Sequence, residues 1–494
     1  MGVEFSFSEK EALNKLAKYC AYQDRSSGEV MQKLNSFKIY GENANKIIEF
    51  LKVEKFLDDK RFVNIYIKSK IRFKHWGRNK IFKGLKSKFA ENEIINESVL
   101  SIINEVKLNG DKALIEFTQK FDGIELDKLH VSEGEINEAD KVIDSNLKNA
   151  IEVARKNIYK FHKSQVNTFS KIEIEEGITC WRKDVPIQKV GLYIPGGSSP
   201  LFSTLLMLAI PAQIAGCDEI IICTPPQKNG NVAPAILFVA KLLGIKKIFK
   251  VGGTQAIAAM AFGTETIPKV DKIFGPGNQW VTAAKQIVNS FGVAIDMPAG
   301  PSEVLVIADD SANAKFVAAD LLSQAEHGAD SQVILISTSE KLITKVEDEV
   351  NILINQLSRK MIIEQSLNNC VIISVNNLDE AITISNIYAP EHLILAVENH
   401  ELLSEKVVNA GSVFLGNYSP ESAGDYATGT NHTLPTNGFA STYSGVSLDS
   451  FMKKITFQKL TKSGLSKIAS AVEVMADAEG LGAHKLAVTI RGKE

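Results

Sequence analysis

Apolar residues recur along this chain with two different periods. Through residues 7–89 the spacing is helical: Ala12, Leu13, Leu16, Ala17 and Cys20 share one face, as do Ile47, Ile48, Phe50, Leu51 and Val53, and then Phe62, Ile65 and Tyr66. Ser26 and Ser27 ahead of Gly-Glu-Val offer an N-cap, and Asp58 and Asp59 ahead of Lys-Arg-Phe offer another. The pattern predicts small helical units joined by short turns. From about residue 93 it changes. Helices over about 94–107, 111–121 and 143–163 come first, and then short β-rich runs alternate with helical ones. One set of strands is Lys189–Ile194, Glu219–Cys223, Lys247–Val251 and Lys272–Phe274. A second is Glu303–Ala308, Gln332–Ser337, Val371–Val375, Leu393–Ala396 and Ser412–Leu415. Helices such as 232–243, 278–290, 312–326 and 339–356 lie between them, and residues 461–494 return to helix. Alternation of this kind predicts parallel sheets covered on both faces. Two sets predict an α/β protein with two doubly wound domains, an all-α N-terminal module and a helical C-terminal arm.

Composition adds limits. The 494 residues are 45% hydrophobic and 23% charged, the balance of ordinary globular protein, with room for two to four domains. No apolar run is long enough to span a bilayer and the start MGVEFSFSEKEALNK is no signal peptide, so a cytoplasmic location is expected. The cysteines Cys20, Cys180, Cys217, Cys223 and Cys370 are odd in number and lack CxxC spacing, which suits reduced core thiols. Charge is unevenly spread: residues 1–90 carry a net +10 and the rest a net −12. That asymmetry predicts modules with different partners.

Three glycine turns follow strands of the first set: Tyr193-Ile194-Pro195-Gly196-Gly197, Val251-Gly252-Gly253-Thr254-Gln255 and Phe274-Gly275-Pro276-Gly277-Asn278. Ligands of doubly wound sheets sit at the carboxyl ends of strands, and glycine there lets backbone approach an anionic or planar group. None matches GxGxxG, and each taken singly also suits an ordinary strand-to-helix turn. A fourth Gly/Pro segment, Asp296–Ser302, links the strand sets and is expected to cross between domains, with Ser302 either a ligand contact or a turn residue.

The polar chemistry gathers in four segments: Gln324-Ala325-Glu326-His327, Glu391-His392, Gly424 through His432, and Glu479 through His484. Four of the eight histidines fall in them, among carboxylates and an amide. Those are ligands for a divalent ion such as zinc or manganese, together with an acid/base pair. Gln324 and His327, three residues apart on a helix, share a face. Each piece alone has a plainer reading: a helix-end dipole partner for His327, a solvated tail residue for His484.

The motifs VGLYIPGG, VGGTQAIAA, FGPGN, DMPAGPSEVLVIAD, LLSQAEHGADSQ, APEHL, GDYATGTNHTLPT and EGLGAHK, all in family order, resemble the histidinol dehydrogenase family over about residues 95–494. The resemblance implies two Rossmann-like domains, one of residues 93–190 plus 303–445 and the other of 191–302, with 446–494 as the arm. It implies that Gln324, His327, Asp425 and His484 bind one Zn²⁺, and that Ser302, Glu479 and His392 contact L-histidinol together with those four. NAD⁺ would lie by Tyr193, Gln255 and Asn278. Glu391 and His392 would be the acid/base residues and His432 a further active-site imidazole. The implied reaction oxidises L-histidinol through L-histidinaldehyde to L-histidine, the last steps of histidine biosynthesis. The family also implies an intertwined homodimer with Glu479 and His484 lent to the other subunit's site. A metal-dependent hydrolase, with Glu391 activating water, is the rival reading of the same residues.

Residues 1–92 depart from that family. Ala12–Leu16, Arg25 through Val30, Phe56 through Phe62 and Trp76-Gly77 resemble part of the RecX family of RecA-filament regulators, built from three-helix repeats. This implies contact with RecA or DNA, for which Lys68, Lys70, Arg72, Lys74, Arg78 and Lys80 offer phosphate partners. The plainer reading is a helical appendage with a solvated basic face.

Overall fold

The computed structural model describes residues 7–22, 25–58, 91–167, 169–196 and 200–493. The chain divides into two compact units, Met1–Ile102 and Ile103–Glu494. In the first, helices Phe7–Tyr22, Ser27–Ser36 and Gly41–Val53 close over Leu16, Val30, Leu34, Ile47 and Leu51. Ser26 caps the second of them in a capping box with Glu29, as its position ahead of Gly-Glu-Val predicts. The expected helical run through Phe62, Ile65 and Tyr66, the Asp59 cap, Trp76-Gly77 and the six basic residues from Lys68 to Lys80 lie outside the described residues, as does Gly197 of the first glycine turn.

The second unit begins within the helix Glu91–Asp122, which is broken at Gly110 where φ is +51°. The break falls between the two helices the sequence predicts. A Cβ at 110 would collide with the Glu265 carboxylate, which instead accepts a 2.8 Å hydrogen bond from the Asp111 N–H. Helices Glu133–Val142 and Ser145–Lys163 follow, then three sheets. Strands are numbered β1 Ile172–Glu175, β2 Ile178–Pro186, β3 Lys189–Tyr193, β4 Glu219–Thr224, β5 Ile248–Lys250, β6 Lys272–Phe274, β7 Ala294–Ile295, β8 Glu303–Ala308, β9 Gln332–Ser337, β10 Val371–Ser374, β11 His392–Ala396, β12 Ser412–Leu415 and β13 Met452–Leu460.

The first parallel sheet has the order β5-β4-β3-β6-β7, and the second β10-β9-β8-β11-β12. Counted within each set, both read third, second, first, fourth, fifth. All their pairings are parallel. The central strand β8, Glu-Val-Leu-Val-Ile-Ala, is buried at every position, because helices cover both faces. Val304, Val306 and Ala308 enter one core while Leu305 and Ile307 enter another. The first sheet's core is closed by the helix Phe202–Ala215, which is apolar nearly all round and almost wholly buried.

The third sheet is an addition to the predicted architecture. It is antiparallel, β1-β2-β13, with β13 paired to β2 from Met452↔Pro186 to Leu460↔Ile178. The expected C-terminal arm therefore opens with a 3₁₀ turn, Leu448–Phe451, and the strand β13, and is α-helical only from Lys462, as Lys462–Ala478 and Gly482–Lys493. Among the described residues, no helix is long and apolar enough to cross a membrane.

Candidate active site

The polar cluster forms at the amino ends of β8 and β11. Pairing of β11 with β8 sets His392 beside Val304, so that Glu391 and Glu303 meet one step earlier. The Glu303 N–H donates to Glu391 Oε2 at 2.8 Å. His392 Nδ1 lies 3.1 Å from the Glu303 carbonyl, which can only accept, so Nδ1 carries the proton. Nε2 then faces Asp425 Oδ1 at 3.5 Å. The helix Ala314–Ala325 brings Gln324, fully buried, to the same place. Its amide is satisfied when the nitrogen donates to Glu421 Oε1 at 2.9 Å and the oxygen accepts from the Glu303 N–H at 2.9 Å. His327, just past that helix, lies within Coulomb reach of Asp425, His392 and His432.

A short helix, Glu421–Tyr426, supplies two carboxylates one turn apart. Asp425 faces His392, and Glu421 accepts from Ser323 Oγ at 2.8 Å. The following loop is pinned to neighbouring helices. Asn157 Nδ2 donates to the Ala427 carbonyl at 2.8 Å, and Asn431 Nδ2 to the Met207 carbonyl at 2.6 Å. His432 has both nitrogens engaged, Nδ1 donating to the Asp425 carbonyl at 2.8 Å and Nε2 accepting from Thr204 Oγ1 at 3.1 Å. Since Thr204 opens the buried helix after β3, this bond ties the second sheet's site to the first sheet's domain.

Burial and charge compete here. Burial pushes Glu391 up to about 8, partly offset by the His392 ring, and pushes Glu421 up to about 8 as well. Burial disfavours a charged His392, but Glu391, Asp425 and Glu421 outweigh it and lift that ring to about 10. Burial works against Asp425 ionisation too, yet His392, His432 and His327 hold its carboxyl below the usual range. His432 is depressed, chiefly by burial. The site thus crowds several carboxyl groups around one charged ring, and burial keeps Glu391 and Glu421 protonated up to about 8.

The glycine turns sit in the first sheet, at its carboxyl ends. Tyr193, ending β3, accepts the Gly253 N–H at 3.2 Å through its hydroxyl. Gly275, after β6, has φ +123° and abuts the Tyr193 carbonyl, which a Cβ would meet at 2.0 Å. Only glycine fits that approach. The turn is clamped by a buried ion pair of Lys285 and Asp296: Lys285 Nζ donates to the Gly275 carbonyl at 2.8 Å and Asp296 accepts the Gly275 N–H at 2.8 Å. Gln255 is buried, and Asn278 caps the helix Gln279–Ser290 by accepting from Trp280 and Val281.

Of the residues singled out from sequence, Gln324, His327, Glu391, His392, Asp425 and His432 come together. Ser302 directly precedes β8, with its carbonyl accepting from Gln332 N–H at 3.0 Å. Glu479 and His484 are exposed on the C-terminal helices and make no hydrogen bond or ion pair to the cluster among the described residues. Likewise, among the described residues no group of three or more His, Cys, Asp or Glu side chains within the chain is placed to hold a metal ion. Sequence reading missed Glu421, Glu303 and Thr204. Glu421 was detectable, since it precedes Asp425 by four residues, the spacing of one helical face.

The chain has close relatives in sequence and in fold. The histidinol dehydrogenase family profile matches residues 85–492. The chain is 60% identical over 407 residues to a histidinol dehydrogenase of Bacteroides thetaiotaomicron, covering 82% of this chain and 95% of the relative. It is 54% identical over 399 residues to that of Vibrio vulnificus, covering 80% and 92%. The crystal structure of histidinol dehydrogenase from Elizabethkingia anophelis superposes with a TM-score of 0.79 at 59% identity, covering 81% of this chain and 92% of that one. With two like-ordered parallel sheets, a buried His–carboxylate cluster on one and glycine turns on the other, and this degree of identity from residue 85 onward, the chain belongs to the histidinol dehydrogenase family.

Proposed function

We propose that the chain oxidises L-histidinol to L-histidine in two NAD⁺-linked steps, as a zinc-containing homodimer. The observation that carries this reading is His392. Its Nδ1 is fixed as a donor by the Glu303 carbonyl, so Nε2 is the nitrogen left to take a proton. Three carboxylates act on the ring and favour its protonated form. One of them, Asp425, is also a candidate metal ligand, so its engagement elsewhere releases His392 to act as a base.

The donor set suits a divalent cation. Gln324, His327 and Asp425 offer oxygen and nitrogen without thiolate, and Asp425, whose carboxyl stays below the usual range despite burial, brings the negative charge that a cation needs. His484 of the partner subunit would complete the set. Bound zinc would fix the substrate's amine and imidazole nitrogens, and NAD⁺ would supply the hydride acceptor. Holding reactants in this way contributes up to roughly 7–11 kcal/mol. His392 takes the hydroxyl proton in the first oxidation. Glu391, held by the Glu303 N–H and neutral up to about 8, would pass its proton to the aldehyde oxygen and take one in return from the water that adds to the carbonyl carbon, giving the hydrate. The hydrate then loses a second hydride. Ser302 and the partner's Glu479 would contact substrate, with Tyr193, Gln255 and Asn278 along the cofactor. His432, with both nitrogens bonded, acts by holding Asp425 and the loop in place.

The test is an absorbance assay of NADH with histidinol as the sole reductant. Two NADH per histidine, lost with a strong chelator and restored by zinc, is the expected result. Hydrolysis of an ester or amide without NADH would instead support the metal-hydrolase reading.

For residues 1–92, most of which precede the family match, we propose a RecX-like contact with DNA or a RecA filament. A separate core around Leu16, Leu34 and Ile47 supports an independent unit. Fluorescence anisotropy of the full chain with labelled single-stranded DNA should show binding that weakens steeply with salt. Salt-independent or absent binding, with RecA filaments also inert, returns the unit to a helical appendage.

A further inference from the structure

A cleft of about 540 Å³ opens at the carboxyl ends of β3 and β4, lined by Gly196, Pro225, Gln227, Lys228 and Asp122 among others. Its walls are fixed. A Cβ on Gly196 would meet Pro225 Cγ at 2.7 Å, and one on Gly252 would meet Pro225 Cβ at 2.5 Å, so the ends of β3 and β5 close on the end of β4. In dinucleotide-binding sheets of this order, an acidic side chain at the end of the second strand takes the hydroxyls of the adenosine ribose. Here β4 runs into Thr224-Pro225-Pro226-Gln227-Lys228, with no acid at that point. The acid comes from outside the sheet. Asp122 ends the long helix Glu91–Asp122 and lines the same cleft. Its charge also acts on the Tyr193 phenol, which burial pushes up to about 12, so it stands near the proposed cofactor path.

The setting of Asp122 gives it no structural employment. A helix carboxyl end disfavours negative charge. Among the described residues it has no hydrogen bond or ion pair; Lys228 is the other charged side chain of the cleft. We propose that Asp122 accepts hydrogen bonds from the adenosine ribose diol of the nicotinamide dinucleotide and thereby selects NAD⁺ over its 2′-phosphorylated form. A 2′-phosphate would lose the diol and set its negative charge against the carboxylate. The inference rests on the reading that NAD⁺ runs past Tyr193, Gln255 and Asn278.

Steady-state rates of the full-length enzyme, with NAD⁺ and NADP⁺ each varied at saturating histidinol, test it. Asp122→Ala should raise KM for NAD⁺ about tenfold or more, the loss of a charged hydrogen bond. Its kcat and histidinol KM should stay within about twofold of wild type. The preference for NAD⁺ over NADP⁺ should fall about a hundredfold, since Lys228 then stands alone beside the 2′ position. Asp122→Glu should keep most of the preference. If wild type reduces NAD⁺ while Asp122→Ala leaves KM and preference unchanged, the ribose contact is overturned and the dehydrogenase reading stands. If wild type reduces neither dinucleotide, both fall.

Discussion

The two five-stranded sheets share one strand order but use opposite ends. The first keeps glycine turns and backbone N–H groups at the carboxyl ends of its strands, where parallel sheets ordinarily bind nucleotides. The second gathers Glu303, Glu391 and His392 at the amino ends of β8 and β11, with Gln324 and Asp425 brought in by helices. The difference follows from what each end offers. Carboxyl ends feed helix starts, whose free N–H groups suit phosphate. Buried carboxylates need a counter-charge, and here imidazoles and a backbone N–H supply part of it. The Thr204–His432 bond then ties the two sets of groups together, while the Lys285–Asp296 pair clamps the first sheet's own Gly275 turn.

Changes in one sheet should therefore separate from changes in the other. The largest effect is expected from His327→Ala, which should empty the proposed zinc site and abolish turnover; full zinc content by atomic absorption would remove His327 from the proposed ligands. Mixing inactive His392→Asn and His484→Ala subunits tests whether the site is shared. If His484 serves the partner, one site of each mixed dimer carries both native residues and activity returns. If both residues serve their own subunit, the mixture stays inactive. In the first sheet, Lys285→Met leaves Asp296 buried without its partner, and should cost about 3–5 kcal/mol in denaturant unfolding. It should also raise KM for NAD⁺ more than KM for histidinol, because the Gly275 turn loses one of its two anchors.

The smallest effect is a pH dependence. Burial pushes Asp320, on the helix leading to Gln324, from 3.8 to about 7. The folded state therefore favours its neutral form. The stability it contributes is present below about pH 4 and is lost as pH rises through about 7. Asp320→Asn should flatten this trend and raise Tm at pH 8 by about 2 °C or more. An unchanged difference in Tm between pH 5 and pH 8 would contradict it.

Much of this was readable in the chain. The strands β6, β8, β9 and β12 fall where apolar runs bounded by turn residues place them, and the break at Gly110 separates the two helices predicted around it. Other elements left no periodic trace. The helix Phe202–Ala215 is buried nearly all round, so it shows no polar face to mark its period. Strands β1 and β13 are exposed along most of their length in this chain, so burial imposes no simple alternation on them. The site was legible as residue types in segments, but not as a meeting of strand starts. Glu303 stood in the sequence only as the first residue of the strand Glu303–Ala308, and the parallel register of β8 with β11 reveals it as the anchor of both Glu391 and His392.

The claim on which the account turns is that His392 Nε2 takes the substrate's proton while metal and cofactor are held by other groups. Its most direct test is His392→Asn, assayed for kcat, for both KM values and for bound zinc. The account predicts a kcat loss of about 10²–10⁴-fold with zinc content and histidinol binding retained. A wild-type kcat in that variant would contradict it.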